Sequence, residues 1–253
     1  MRLSEICDIK PAVVTPYCGE SARVLSRCHQ SVACQTYPAR HFFVADGLPD
    51  PAVEEFNAEH IVLSKSHDDF GNTPRALGAL SAINQGFNAV FFLDADNWYL
   101  HNHVEEGVKL KFQNSSIDVV ASFRRIILPN NVEISPDQED LDFCHIDTSC
   151  MGFFDSAFML LPFWATMTPE LSPIGDRIVY QEMKSRGFTI GWTKRESVFY
   201  SSNYAHHYQR AGLQVPEDAY RLDLSMLKAF NSQKFLNWNG RPLAGAADHQ
   251  ILP

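Results

Sequence analysis

"AVFFLDADNWYL", residues 89–100, joins an apolar run to a pair of carboxylates. Its first five residues, 89–93, are all apolar, and such a run predicts a strand that is buried on both faces of a parallel sheet. Asp94 and Asp96 then place two carboxylates immediately after that strand. Three explanations are open: a metal site for an activated substrate, a nucleophile with its acid partner, or a solvated turn.

Strand and helix patterns alternate along the first half of the chain. Apolar runs at 12–17, 41–47 and 60–64 predict three more strands, and apolar residues recur at helical spacing over 21–35 and 73–86. Strands that alternate with helices indicate a mostly parallel sheet with crossover helices. The predicted fold class is therefore α/β, with a mixed, mostly parallel central sheet flanked by helices.

The second of these helices carries the most specific local signals. Thr73 is expected to be its N-cap and Pro74 its first residue. Leu77, Leu80 and Ile83 share one face at helical spacing, so we expect that face to be buried.

The second half of the chain is less regular, although no long linker or internal repeat interrupts it. Its patterns predict helices at 104–113 and 175–187, strands at 118–125, 189–193 and 197–202, and a surface excursion at 128–140. We therefore predict a single domain over residues 1–253.

Polar residues follow three of the predicted strands in the first half. Thr15-Pro16, Asp46 and the Asp94/Asp96 pair all fall at strand ends. The carboxyl ends of parallel strands meet at one edge of a sheet, and open α/β folds bind ligands there. We therefore expect these residues to converge on one rim.

Composition limits the class of function. The chain has 253 residues, a formal charge of −9 and 45% hydrophobic residues, which is ordinary for a globular protein. The negative charge argues against nucleic acid as a partner, because phosphate backbones require clustered Lys and Arg. No apolar run approaches the roughly 18 residues of a membrane span, and the N-terminus has no signal-peptide core. Six cysteines without a CxxC pair predict reduced thiols, so we expect a cytoplasmic protein, free or peripheral to a membrane.

Two alternatives for the carboxylate pair fit poorly. In a calcium-binding EF-hand loop that starts at Asp94, Trp98 and Tyr99 would occupy positions that need a ligand and a glycine. Haloacid-type phosphatases also carry Asp-x-Asp after an apolar strand, but Thr or Val usually follows, where this chain has Asn97. In the metal hypothesis the pair holds Mg²⁺ or Mn²⁺, which bridges a substrate diphosphate.

Four segments resemble the nucleotide-sugar transferases of the GT-A fold, in particular glycosyltransferase family 2. They are VVTPYCGESARVLSRCHQSVACQTYP (13–38), FFVADG (42–47), NTPRALGALSAINQG (72–86) and AVFFLDADN (89–97). The likeness covers residues 10–110 well and the remainder more loosely. It implies a Rossmann-like fold with a nucleotide-binding half over about 10–110 and an acceptor-side half over about 111–253.

The resemblance implies a donor-binding role for the first two strand ends. Thr15, Pro16 and Tyr17 would line the nucleotide pocket. Glu20 would cap the following helix or touch the ribose, and Asp46 would accept hydrogen bonds from the base.

The resemblance also implies a cation site for Mn²⁺ or Mg²⁺. Arg75 would lie near the base or a phosphate. Asp94 and Asp96 would flank the ribose and the metal, with Asp96 the more direct ligand. A histidine from a late loop, here His207 or alternatively His206, would complete the coordination.

The candidate catalytic base comes from the acceptor-side half. An inverting transferase needs a group that deprotonates the acceptor hydroxyl. The resemblance implies Asp176, which starts a helix, with Asp147 as the alternative. Gly175 stands where the family often has Glu. His145 is a further candidate for a metal ligand or an acceptor contact.

The implied function is a metal-dependent, hexosyltransferase-type glycosyltransferase, and the resemblance favours inversion. Its donor would be a UDP or GDP sugar and its acceptor the hydroxyl of a glycan or another molecule, as in polysaccharide biosynthesis. Two alternatives stay open. A sugar nucleotidyltransferase shares the layout, although TPYCGESAR (15–23) matches its Gly-rich basic loop poorly. The other alternative is a relative that binds a nucleotide sugar or a glycan without turnover.

Overall fold

A nine-stranded sheet organises the computed structural model of this protein, which describes residues 9–221. The strands are β1 (Pro11–Tyr17), β2 (Arg40–Asp46), β3 (Glu59–Leu63), β4 (Ala89–Phe92), β5 (Trp98–Tyr99), β6 (Val119–Ile127), β7 (Glu133–Ile134), β8 (Met151–Phe154) and β9 (Ile190–Ser201). The α-helices are α1 (Ala22–Ala33), α2 (Asn72–Asn84), α3 (His103–Gln113), α4 (Gln138–Leu141), α5 (Phe163–Thr166), α6 (Gly175–Ser185) and α7 (Ala205–Arg210).

The chain divides after Ser202 into two compact units. The first unit contains the whole sheet and helices α1 to α6. In the described part of the second unit, α7 follows Tyr204, and Tyr204 forms a parallel bridge with Tyr220. The single domain over 1–253 stays a prediction.

The strand order is β3-β2-β1-β4-β8-β6-β9-β5, with β7 paired to β6. β1 to β4 pair with one another in parallel, and β8 runs antiparallel between β4 and β6. β9 returns to a parallel pairing with β6. The predicted α/β class, with a mixed sheet and crossover helices, is confirmed.

The central strand β4 is the one that the apolar run predicted. All four of its residues are buried, between β1 on one side and β8 on the other. Phe91 of β4 pairs with Gly152 of β8, and a Cβ at Gly152 would lie 2.5 Å from the Phe91 ring. The absence of a side chain at Gly152 therefore makes room for the Phe91 ring in the core. Asp94 follows the end of β4 and therefore lies at the carboxyl edge of the sheet.

Helix α2 buries a different face from the one expected. Leu77 and Leu80 are 38% and 42% exposed, so their prediction as core residues is wrong. A Cβ at Gly78 would lie 2.5 Å from Val14 and 2.7 Å from Val44. The helix therefore packs on β1 and β2 through its small residues, because a close approach of the two backbones leaves no space for leucine.

The start of α2 also differs from the prediction. The helix begins at Asn72 after Gly71, whose φ of +76° lies in the left-handed region. The backbone N–H of Thr73 donates to the Asp69 carboxylate at 2.8 Å. Thr73 is therefore inside the helix, and an upstream aspartate satisfies one of the free N–H groups of its first turn.

The second half contains more regular structure than its sequence pattern indicates. The strands expected at 189–193 and 197–202 are one continuous strand, β9. The segment 128–140, expected to be a surface excursion, contains β7 and the start of α4, and it buries Asp140 at 3% exposure.

Two further expectations concern cysteines and membranes. The described cysteines are free thiols, in agreement with the prediction: Cys18, Cys28, Cys34, Cys144 and Cys150. Within residues 9–221, no helix combines the length and apolar character that crossing a membrane requires.

Candidate active site

The turn that carries the two carboxylates is fixed by buried hydrogen bonds. The backbone N–H of Asp94 and the side-chain amide of Asn97 both donate to the Ser149 hydroxyl, at 3.2 and 2.9 Å. The Asn97 backbone N–H donates to the Asp94 carbonyl, and its side-chain oxygen accepts from the Ser201 N–H. The turn that contains Asp94 and Asp96 is thus tied to the segment just before β8 and to the end of β9.

Asp94 forms an ion pair with a buried arginine. Arg75 Nη2 lies 2.6 Å from Asp94 Oδ1, and Arg75 Nη1 donates to the Asn72 side-chain oxygen at 3.0 Å. The guanidinium also lies 4.9 Å from the Trp164 ring centroid. Arg75 is 3% exposed, whereas the Asp94 side chain is 32% exposed. Arg75 therefore orients Asp94; its predicted contact with the nucleotide stays a prediction.

Asp96 is exposed at the same edge, and its carboxyl group is a weaker acid than that of an ordinary aspartate. Its pKa is raised to about 7 because the surrounding protein partly removes it from water and because Asp94 and Glu20 repel its negative charge. Arg27 holds its backbone, donating to the Asp96 carbonyl at 2.6 Å while stacking on Trp98 at 4.0 Å. Asp94, Asp96 and Glu20 repel one another, and a bound cation would reduce that repulsion.

The predicted pocket residues of β1 have partners inside the protein. The hydroxyl of Thr15 is fully buried and lies 2.9 Å from His41 Nε2. The Tyr17 hydroxyl lies 2.7 Å from His60 Nε2. Pro16 is buried against Gly71, where a Cβ would lie 3.0 Å from the proline ring. These contacts join the end of β1 to β2, to β3 and to the residue before α2. The role of the three residues in a nucleotide pocket stays a prediction.

Asp46 is engaged by the loop that follows β3. It accepts from the Ser66 hydroxyl at 3.2 Å and from the His67 N–H at 2.9 Å, and its other oxygen lies 2.6 Å from His67 Nδ1. Asp46 is 4% exposed, while the His67 side chain is 27% exposed. His67 is therefore the more exposed residue at this edge, and Asp46 fixes its position through two contacts.

Glu20 does not cap the first helix. Ser21 holds the N-cap position of α1, and Glu20 instead accepts from the Cys18 N–H at 2.6 Å. The capping prediction is wrong, because this short bond turns the Glu20 carboxylate back over the loop. Its contact with a ribose stays a prediction.

A buried arginine on β6 gathers three carboxylates beside this edge. Arg124 lies 2.7 Å from Asp147, 2.9 Å from Asp140 and 3.0 Å from Asp137. Burial by itself would lower the pKa of Arg124, but these carboxylates raise it well above its usual range. The cluster fixes the segment between β7 and β8 against the sheet.

Asp147, the alternative catalytic base, belongs to this cluster. One of its oxygens pairs with Arg124, and the other accepts from the Ser149 N–H at 3.0 Å. Burial, followed by repulsion from Asp94 and Asp176, raises its pKa to about 6 despite the arginine. At 7% exposure, with both oxygens engaged, Asp147 supports the turn at Ser149.

Asp176 lies in the first turn of α6, and its side chain is 21% exposed. Oδ2 lies 2.7 Å from His145 Nε2, and Oδ1 accepts from the Arg177 N–H at 2.7 Å. Burial would raise the pKa of Asp176, but the charge of His145 and its hydrogen bond lower it. Of the two predicted bases, Asp176 is the more accessible to an acceptor.

Gly175 has a packing reason for standing before that aspartate. A Cβ there would lie 3.0 Å from the Trp164 ring and 3.1 Å from the Asn72 side-chain nitrogen. Asn72 also donates to the Ser172 carbonyl at 3.1 Å and accepts from Arg75. The close contact at Gly175 thus brings the start of α6 up to the Arg75–Asp94 pair.

His145 has both ring nitrogens on carboxylates. Nδ1 lies 2.7 Å from Asp140 and Nε2 lies 2.7 Å from Asp176. Burial lowers the pKa of His145, but the two carboxylates outweigh it and raise the pKa to about 9. The suggestion that His145 binds a metal or an acceptor is therefore wrong for this structure.

Sequence reasoning missed Arg124 and Asp140. A charged residue within the apolar strand pattern of VVASFRR (119–125), followed by the acidic run PDQED (136–140), was the available signal. Buried arginines need several acceptors, and an acidic run nearby in the chain can supply them.

The histidines proposed as a third metal ligand lie in the second unit. His206 and His207 are consecutive residues of α7, with their ring centroids 4.0 Å apart. Their metal-binding role stays a prediction.

Comparison with protein-family models gave no match, and neither did comparison with curated proteins. Solved structures of S. aureus TarS are similar in three dimensions. One TarS structure matches with a TM-score of 0.61 at 13% identity, over 79% of this chain and 38% of that chain. The similarity is one of fold.

Two further TarS structures were solved in complex with UDP or UDP-GlcNAc. TarS 1–349 in complex with UDP matches with a TM-score of 0.60 at 14% identity, and its complex with UDP-GlcNAc matches with 0.60 at 12%. Each match covers 79% of this chain, and 63% and 61% of the TarS fragment. The chain therefore spans less than two thirds of these TarS chains.

Proposed function

We propose that this protein transfers a sugar from a nucleotide-diphosphate donor to an acceptor hydroxyl, with a divalent cation and with inversion at the sugar. The observation that carries the proposal is the pair Asp94 and Asp96, which follows the central strand β4 in a turn fixed by hydrogen bonds. Asp176 lies nearby in the first turn of α6. Ligands bind at this edge in open α/β sheets. The fold shared with TarS, which has been solved with UDP and UDP-GlcNAc, favours a UDP sugar as donor.

The side chains at this edge suit Mn²⁺ or Mg²⁺ as a bound cation. Asp94 and Asp96 supply carboxylate oxygens, which hard divalent cations prefer. Removal from water, followed by repulsion from Asp94 and Glu20, raises the pKa of Asp96 to about 7, and a bound cation would offset both effects. The cation, when bound, neutralises charge on the departing diphosphate. We assign Asp96 as the direct ligand and Asp94 as a ligand or ribose contact.

Asp176 is the proposed base. As the acceptor oxygen forms its bond to the anomeric carbon, the hydroxyl proton passes to the Asp176 carboxylate. The bond from that carbon to the diphosphate oxygen breaks, and its electron pair leaves with the diphosphate. The N–H of Arg177 and the ring of His145 hold the carboxylate during this step. Removing such a base costs about 10²- to 10⁴-fold in rate.

Thermal unfolding with metal and nucleotide tests the cation and donor site. UDP and Mn²⁺ together are expected to raise the melting temperature more than the sum of their separate effects, because the cation bridges protein and diphosphate. Asp96→Ala is expected to lose this coupling. Glu55→Gln, which changes an exposed carboxylate at the end of the short helix Pro51–Glu55, is the matched control and should keep it. Equal coupling in Asp96→Ala and the wild type would refute the metal assignment.

A further inference from the structure

We infer that His145 is a positioning residue for Asp176, linked through Asp140 to the buried Arg124. The inference rests on the proposed function, because it concerns the base of that reaction. It adds to that function a group that touches neither donor nor acceptor.

The geometry forms a continuous chain of four side chains. Arg124 Nε lies 2.9 Å from Asp140 Oδ2, and Asp140 Oδ1 lies 2.7 Å from His145 Nδ1. His145 Nε2 then lies 2.7 Å from Asp176 Oδ2. His145 is 5% exposed, so its ring cannot turn to solvent without breaking both contacts. The three contacts join β6, α4 and α6.

The charges around His145 favour its protonated ring. Asp140 from α4 and Asp176 from α6 face its two nitrogens. Asp147, at the turn before β8, also carries negative charge nearby, and Arg124 from β6 opposes with its positive charge. Two contacting carboxylates outweigh one arginine whose charge is itself shared among three partners.

The arrangement fixes the carboxylate of Asp176 at both oxygens. The imidazolium holds Oδ2 and the Arg177 N–H holds Oδ1, so the carboxylate plane is set before an acceptor arrives. The positive ring makes Asp176 a weaker base but keeps it ionised and aligned. When Asp176 takes the acceptor proton, its attraction to the ring falls, which favours loss of that proton to water before the next turnover.

Steady-state kinetics of His145→Gln test the inference. Glutamine can keep a hydrogen bond to Asp176 but carries no charge. We expect kcat to fall by about 10- to 100-fold, as for a misaligned catalytic group, while KM for the donor is unchanged. With donor and Mn²⁺ at saturation, so that the cation already holds the Asp96 carboxylate, the acid limb of the kcat profile is expected to move to higher pH, because Asp176 loses its positive neighbour. His101→Gln, an exposed histidine, is the matched control and should behave as the wild type.

A second variant and a spectroscopic measurement cover the case in which His145→Gln does not fold. Asp140→Asn leaves the contact between His145 and Asp176 and should shift the acid limb in the same direction by less. Nitrogen NMR of the intact wild-type protein should show a protonated His145 ring at pH 7.5. A neutral ring, or His145→Gln with unchanged kcat and acid limb, would overturn the inference. Absence of donor turnover in the wild type would instead remove the proposed function, and this inference with it.

Discussion

The pH dependence of folding offers a test of the His145 ion pairs that is independent of catalysis. The pKa of His145 rises from 6.5 to about 9 in the folded protein, because the carboxylates of Asp176 and Asp140 overcome the effect of burial. A group whose pKa is raised on folding stabilises the native state fully below its unfolded pKa, and this stabilisation is lost as pH rises through the folded pKa. The window for His145 therefore runs from pH 6.5 to about 9.

The magnitude follows from the size of the shift. A difference of roughly 2.5 pKa units, at 1.36 kcal/mol per unit, corresponds to about 3 kcal/mol of unfolding free energy. The ring is buried, so solvent screening does not reduce this value greatly. The wild type should therefore lose about 3 kcal/mol more stability than His145→Gln across this window.

Urea unfolding at half-unit steps from pH 6.5 to 9 provides the assay, with free energies taken from linear extrapolation. Other groups titrate in the same range, including Asp96 with its pKa of about 7, but they are present in both proteins and cancel in the difference. Asp140→Asn should show an intermediate slope. Identical slopes for the wild type and His145→Gln would refute the assignment of a charged His145.

Two further predictions concern packing and the base. Gly78→Ala should lower the free energy of unfolding by about 1–2 kcal/mol, because overpacking against Val14 and Val44 exceeds the roughly 1 kcal/mol that alanine gains in a helix. Leu80→Ala, at an exposed position of the same helix, should change the free energy of unfolding less. A Gly78→Ala variant more stable than the wild type would contradict the close contact. Asp176→Asn should keep the Mn²⁺–UDP melting shift and lose sugar transfer by about 10²- to 10⁴-fold, measured as nucleotide release, and near wild-type transfer would mean that another group is the base.

The sheet could be predicted from sequence because its signals are local. The apolar run 89–93 sits in a buried central strand, and the alternation of strands and helices before it gave the parallel pairing. The same geometry placed Asp46 and the Asp94/Asp96 pair at one edge. Each of these inferences needed only neighbours in the chain and the rules of parallel sheets.

The support of the candidate site could not be predicted in this way, because its partners are distant in sequence. Arg124 and Asp147 are 23 residues apart, and His145 and Asp176 are 31 apart. Leu77 and Leu80 were misassigned for a related reason: the close approach at Gly78 selects small residues for the buried face, and helical spacing carries no information on that distance. Asp46 likewise binds a loop 20 residues later.

Nucleotide release from a panel of UDP and GDP sugars, measured with Mn²⁺ and with EDTA, tests whether this protein is a metal-dependent sugar transferase. We expect the wild type to release UDP from at least one UDP sugar, the release to require the cation, and Asp96→Ala to abolish it. Failure of the folded wild type to release nucleotide from any donor would contradict the proposed transferase activity, and equal release by Asp96→Ala would contradict the role of Asp96.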